Sequence, residues 1–274
     1  MIPRYVVLDK KLGQTPLEAI QIWKAGHPEY AEIPASYAGR LDPMATGLLL
    51  VLLGDECKNK DRYAGLDKEY EVEVLLDAGS DTGDVLGIVS AEYRSTHPDP
   101  AALRSMLRAE EGVHVRAYPA FSSKAVNGTP LFLHALQGTL GSISIPEHEE
   151  TFYRIRLDSI ASLSVKELHE RVNAMLARAP HSDEASKTLG ADFRIHEVRN
   201  SWQPLFLQPE RSFAVLRLRV TCCSGAYMRT LAERLGAALG TQALALSIHR
   251  TRIGSYRAFG PLGFWTRRYR STTS

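Results

Sequence analysis

Positions 39–58 read GRLDPMATGLLLVLLGDECK and place one carboxylate, Asp42, between a small-residue turn and Pro43, just ahead of the most apolar run in the chain. Standing alone, such a carboxylate reads as a turn residue or a helix cap. A carboxylate held rigidly against a core can also act as a nucleophile. Glycoside hydrolysis fits less well, because it wants a second carboxylate as general acid and no paired-carboxylate motif stands beside Asp42. The cysteines Cys57, Cys222 and Cys223 include an adjacent pair that cannot bridge easily, and no CxxC or HxxxH spacing offers a metal site. A reducing compartment and no metal are therefore expected.

The elements that must hold Asp42 can be read around it. Early in the chain, VVLDKKLGQTPLEAIQIWKAG predicts a strand, a Gly turn and a helix capped by Thr15 with Pro16 in its first turn. KEYEVEV alternates Tyr70, Val72 and Val74 against Glu69, Glu71 and Glu73, the period of a half-buried strand. A capped helix is expected near Asp99, another near Thr129, a strand from Thr151, and a helix whose capping box is Ser164 and Glu167. SFAVLRLRVTCC predicts a strand from Ser212, followed at once by an SG turn and the helix AYMRTLAERLGAALG. Positions 181–210 carry the least pattern and are expected as a surface excursion. Strands and helices without a regular βα period imply an α+β fold around a largely antiparallel sheet.

Composition sets the outer bounds. At 274 residues the chain suits one or two domains, and a globule of this size buries about three quarters of its unfolded surface. The longest apolar stretch, 47–54, is far short of the roughly 20 residues that span a bilayer, and the N-terminus lacks a long apolar centre, so a cytoplasmic protein is expected. The net charge of +2 hides a split: positions 211–270 hold 11 arginines, no lysine and one acid, Glu233, whereas the remainder holds 22 basic and 30 acidic residues. Arginine forks suit phosphate, so a polyanion face is expected in the C-terminal quarter.

Four segments, in order, resemble the TruB family of pseudouridine synthases, which isomerise a uridine in the T-loop of transfer RNA. They are GRLDPMATGLLLVLLGDECK, KEYEVEVLLDAGSDTGDVLG, YPAFSSKAVNGTPLF and CSGAYMRTLAERLGAALG. With LDKKLGQT near the start, the resemblance covers most of positions 5–160 and 212–257. It implies the pseudouridine synthase fold, a mixed, mostly antiparallel central sheet flanked by helices with an active-site cleft across its middle. It implies a catalytic domain over 1–260; as departures from the family pattern, the segment near 161–211 has no recognised counterpart and is expected as an insertion, and the short basic tail over 261–274 leaves no room for the C-terminal RNA-binding domain that many relatives carry.

The same resemblance assigns roles. Asp42 stands in the place of the family nucleophile, Arg229 in that of its cationic partner, and Tyr70 in that of the tyrosine that packs on the target base. Gly39, Arg40, Leu41, Lys68, Lys124, Tyr227, Arg250 and Arg252 fall on motif positions expected to meet substrate. Tyr37 occupies the place of a family histidine thought to help extrude the base, so stacking is its expected contribution. The implied partner is tRNA, held at its T-stem and T-loop with uridine 55 as target, by a monomer needing no cofactor and no metal. Two alternatives stay open: the same chemistry on another RNA, and a tRNA-binding or folding protein that keeps the fold without efficient catalysis.

Overall fold

The computed structural model describes residues 2–91, 94, 96–179, 194–259 and 262–271. Its strands are β1 Tyr5–Lys10, β2 Ala35–Ala38, β3 Ala45–Leu53, β4 Asp67–Leu76, β5 Ala78–Ser80, β6 Val89–Ala91, β7 Gly112–Ala117, β8 Ala125–Val126, β9 Thr129–Pro130, β10 Glu147–Ser164, β11 Ser212–Cys222, β12 Ala243–Phe259 and β13 Leu262–Tyr269. Its helices are α1 Pro16–Ala25, α2 Asp61–Ala64, α3 Pro100–Glu110, α4 Leu131–Leu136, α5 Val165–Leu176, α6 Ile195–Phe206 and α7 Met228–Ala238. None of the described helices is long and apolar enough to cross a membrane.

Nine strands share one sheet in the order β1-β3-β12-β4-β11-β10-β7, with β2 on β3 and β13 on β12. The pairings are antiparallel except one: Ile248, His249 and Arg250 of β12 run parallel to Ala45, Thr46 and Gly47 of β3. The fold is thus α+β around a mixed, mostly antiparallel sheet, as expected. The apolar run after Asp42 becomes β3, flanked by β1 on one side and by β2 and β12 on the other. Its leucines pack on both faces, Leu50 and Leu52 with Val7 and Tyr63, and Leu49, Val51 and Leu53 with Ala19 and Ile20. Burial on two faces explains why this strand shows no polar alternation.

Local signals placed several helices correctly. Thr15 and Glu18 form the capping box of α1, Asp99 accepts from Ala102 N–H at the start of α3, and Ser164 with Glu167 caps α5. The cap expected at Thr129 needs correction: Thr129 lies in β9, and α4 starts after Pro130 with no side-chain cap. Proline fixes its own φ and so sets that helix start unaided. The strand expected from Thr151 begins earlier, at Glu147, because β7 pairs with positions 147–152.

Two larger expectations also change. Within 181–210, residues 181–193 lie outside the described residues, but α6 is no surface excursion. Its Val198 and Trp202 are fully buried in the main core, and Trp202 Nε1 donates to the Val85 carbonyl at 3.4 Å. The spacing of Val198, Trp202 and Leu205 puts them on one helical face. Likewise, the basic tail expected over 261–274 is largely strand: β13 pairs with β12 from Ile253–Tyr269 out to Phe259–Leu262.

The charge split resolves across the sheet. Glu69, Glu71 and Glu73 of β4 lie between Arg217 and Arg219 of β11 and Arg252 of β12. Arg217 meets Glu73 at 3.1 Å, Arg219 meets Glu71 at 2.7 Å, and Arg252 meets Glu69 at 3.3 Å. Arg234 pairs with Glu110 at 3.0 Å. Much of the arginine-rich quarter therefore neutralises acids from the rest of the chain instead of forming one polyanion face.

Candidate active site

Asp42 sits in the turn between β2 and β3. The side chains around it anchor that turn: Leu41 is 3% and Met44 2% exposed, and Ala45 N–H donates to the Asp42 carbonyl at 3.0 Å. Gly39, at φ +80°, and Gly47, at φ +99°, both adopt backbone that favours glycine. A Cβ on Gly47 would lie 2.3 Å from the Arg250 carbonyl oxygen, so glycine is what lets β12 run this close.

Two cations hold the turn from behind. Arg250 is fully buried, and its guanidinium donates to the carbonyls of Leu48 at 2.7 Å, Gly39 at 3.0 Å and Arg40 at 3.4 Å, clamping the chain on both sides of Asp42. Arg250 thus lines the cavity while three of its N–H groups hold the carbonyls that shape the turn. Lys10 is also fully buried and donates to the carbonyls of Gln14 at 2.7 Å, Lys11 at 3.1 Å and Pro43 at 3.4 Å. Burial lowers its pKa to about 8, against the pull of the Asp42 charge.

Arg229, the second residue of α7, brings three segments together. Its Nε donates to Asp42 Oδ2 at 2.9 Å, Nη1 to the Thr82 carbonyl at 2.6 Å, and Nη2 to the Phe121 carbonyl at 2.9 Å. Asp84 lies 3.7 Å from the same Nε. Burial works against the Arg229 charge, yet the two carboxylates more than offset it and hold its pKa above the ordinary arginine value. Burial likewise pushes Asp84 up to about 6, with Arg229 opposing and the Asp42 charge adding to the rise.

These groups line one cavity of about 410 Å³, together with Gly39, Arg40, Leu41, Lys68, Tyr70, Tyr227 and Ile248. That volume falls in the range of small-ligand sites. Tyr70 is 8% exposed and belongs to both the cavity wall and the main core, so one ring packs in the core and borders the cavity. Burial raises its hydroxyl pKa while the adjacent Arg250 opposes. Tyr227 caps α7 with its hydroxyl pKa also raised by burial. Lys68 donates to the Ala64 carbonyl at 3.2 Å and to that of Leu66, and burial, helped by the Arg250 charge, lowers its pKa to about 8.

Three expected residues do not line this cavity. Tyr37 sits in β2 against the cluster around Leu49, with Lys60 over its ring at 5.2 Å. Lys124 is exposed and lies over Tyr118 at 5.1 Å. Arg252 pairs with Glu69 among the cross-strand ion pairs. Conversely, Lys10, Thr82, Asp84, Phe121 and Arg194 belong to the site or its support although none of them is singled out by the sequence as a site residue: Lys10 lies in LDKKLGQT, Thr82 and Asp84 in the DTGD loop and Phe121 in YPAFSSKAVNGTPLF, while Arg194 lies outside the four segments. The DTGD loop contained the signal for Asp84, an acid between Gly83 and an apolar Val-Leu pair.

With this geometry in place, comparison with known proteins is decisive. A model of the TruB family pseudouridylate synthase N-terminal domain matches residues 31–173. The chain belongs to the TruB family. Among its relatives is the tRNA pseudouridine synthase B of Thermobifida fusca, 27% identical over 220 residues that cover 80% of this chain and 60% of that protein. That of Burkholderia pseudomallei is 28% identical over 256 residues, covering 91% and 64%. That of Psychrobacter cryohalolentis is 25% identical over 256 residues, covering 92% and 56%. The chain thus spans about three fifths of the length of these relatives. A solved Cbf5-Nop10-Gar1 complex contains a chain of the same fold, with TM-score 0.53 and 17% identity over 91% of this chain and 48% of that one.

Membership of the TruB family leaves the buried second carboxylate to be tested in its own right. Asp84 binds its proton more tightly folded, at about 6, than unfolded, at about 3.9. Its contribution to stability is therefore complete below about pH 4 and lost as pH rises through 6. Two units correspond to about 3 kcal/mol. Urea unfolding of wild type and Asp84→Asn should show their free-energy difference shifting by about that amount between pH 4 and 7 in favour of Asn. A difference independent of pH would show that Asp84 titrates normally.

Proposed function

We propose that this TruB-family chain is a tRNA pseudouridine synthase that isomerises uridine 55 in the T-loop, with Asp42 as nucleophile. The observation that carries the reading is the Asp42–Arg229 pair at the wall of a cavity that Tyr70 and Tyr227 also line. Arg229 occupies Asp42 Oδ2, and Oδ1 makes no hydrogen bond among the described residues, so one oxygen stays available to a reacting carbon. The names of the relatives supply the RNA class.

The reaction breaks the N1–C1′ bond, turns the freed uracil and joins C5 to C1′; C5 loses a proton and N1 gains one. Bonds exchange within one nucleotide, so no redox partner or metal is called for. The freed base needs a pocket with room for it to turn while it stays bound, and the cavity of about 410 Å³ beside Asp42 offers that room. Extruding the uridine costs a few kcal/mol, which contacts elsewhere on the RNA must offset. The whole sheet, with α5 and α6 from the inserted segment, serves as one catalytic domain in this reading.

A tRNA transcript carrying tritium at C5 of uridine tests it, because forming the new C–C bond expels that hydrogen. Release that maps to T-loop position 55 supports the proposal; tight binding without release overturns it for this RNA. Tyr70 offers a second check. Tyr70→Ala should lower kcat/KM about 10- to 100-fold, the worth of one base–aromatic stack. If Tyr70→Phe loses as much, the hydroxyl and not the ring carries the role.

A further inference from the structure

The C-terminal arginines divide into two groups. Arg211, Arg217, Arg219, Arg229, Arg234 and Arg252 pair with carboxylates, and Arg250 donates to three carbonyls. Arg257, Arg267 and Arg268 have no carboxylate partner among the described residues, and all three are exposed on the β12–β13 hairpin. No acid occurs anywhere from position 254 to the end. The unneutralised charge of this region is therefore concentrated on one hairpin.

The same hairpin exposes aromatic surface. Arg257 faces Phe264 and Phe259 faces Leu262 in the antiparallel register, which places all four on one side. Phe259, Leu262 and Phe264 are 59%, 75% and 53% exposed, and the two phenyl rings stack at 5.7 Å. The opposite side is anchored: Tyr256 packs on Tyr153 at 5.5 Å and on Trp265 at 5.4 Å. One side thus fixes the hairpin to the body and the other is left free; Arg267, opposite Ser255, shares the side of Arg257, while Arg268, opposite Gly254, falls on the other side and is exposed there. Strand β12 also carries Ile248 and Arg250, which line the candidate site, and its nine further residues to Phe259 extend about 30 Å at the usual strand rise.

We propose that the β12–β13 hairpin is a second RNA contact, in which Arg257, Arg267 and Arg268 hold phosphates and Phe259 and Phe264 stack on bases up to about 30 Å from the cavity wall. This rests on the function proposed above. Guanidinium groups without a carboxylate partner, interleaved with exposed rings, are what a nucleic-acid backbone and its bases require; Arg267 lies over the Tyr269 ring at 4.9 Å, a contact that leaves its charge unneutralised. Strand β12 links the hairpin to the cavity wall, with pairing irregularities between Arg250 and Arg252 and between Ser255 and Tyr256, so about 30 Å is its greatest reach.

The test uses the full chain and unmodified tRNA transcript. One variant combines Arg257→Ala, Arg267→Ala and Arg268→Ala; a second combines Phe259→Ser and Phe264→Ser; a third replaces the three arginines by Lys. The first should bind at least about tenfold more weakly, with a slope of log affinity against log salt shallower by about 2 to 3, near 0.7 to 0.9 for each phosphate no longer neutralised. The second should weaken binding about tenfold without changing that slope, and the third should keep the slope. Loss of turnover should appear in KM. Unchanged affinity and slope in the first two variants would overturn the proposal, whatever their melting temperatures. So would loss of co-sedimentation with phosphatidylglycerol vesicles while tRNA binding stays intact, which would make the hairpin a membrane contact. Tritium release on the same samples separates the two readings. Weakened variant binding without wild-type release rejects the isomerase and keeps the hairpin; wild-type release with unaffected variant binding rejects the hairpin alone.

Discussion

Asp42→Asn is expected to lower tritium release from C5-labelled tRNA by about 10³-fold or more, equivalent to about 4 kcal/mol in the barrier. Asparagine keeps the size of the side chain and can still accept from Arg229, but it loses the charge and the nucleophilic oxygen. The turn should survive the change, since Leu41, Met44, Lys10 and Arg250 hold it through their own burial and through backbone carbonyls. The loss should therefore appear in kcat, with RNA affinity reduced far less. Release at the wild-type rate would remove Asp42 from the mechanism.

Arg229→Ala should damage both stability and turnover. Its guanidinium serves Asp42 and the carbonyls of Thr82 and Phe121, and it stands beside the buried Asp84. Removing it leaves Asp84 without its nearby cation and two carbonyls without their donors. Breaking one side of such a buried pair costs about 3–5 kcal/mol, readable as a lower midpoint in urea unfolding at constant slope. Arg229→Lys should restore only part of either property, because one ammonium cannot reach three acceptors spread over a planar fork. Full activity with an unchanged midpoint in Arg229→Ala would show that Asp42 needs no such partner.

The comparison of Arg229 with Arg250 shows how far residue type alone can be read. Both fall on motif positions, and both prove buried. Arg229 reaches the carboxylate, whereas Arg250 holds the carbonyls that shape the turn around it. Side-chain direction and the partners within reach separate these roles, and neither is present in a linear pattern. Tyr37 and Lys124 illustrate the same limit, since matching a motif position did not bring them to the cavity wall. Asp84 fails in the other direction: in the sequence it is one acid of a turn, and only burial beside Arg229 distinguishes it.

Period and capping determined much of this protein from the sequence. The alternation in β4, the apolar run of β3, the capping boxes of α1 and α5, and the four ordered motifs already implied an α+β sheet protein with Asp42 at a fixed turn. These signals are local, carried by neighbours within a few residues, so they survive without a fold. Only the tertiary structure decided which charges cancel. Glu69, Glu71 and Glu73 meet Arg252, Arg219 and Arg217, all far away in the chain, because β11 and β12 flank β4, and that pairing leaves the basic charge at the hairpin. It also decided that Trp202 is core, since burial depends on what packs against a helix face and not on the helix's own pattern. Electrostatics and burial are properties of assembled neighbours, and those neighbours are chosen by the sheet.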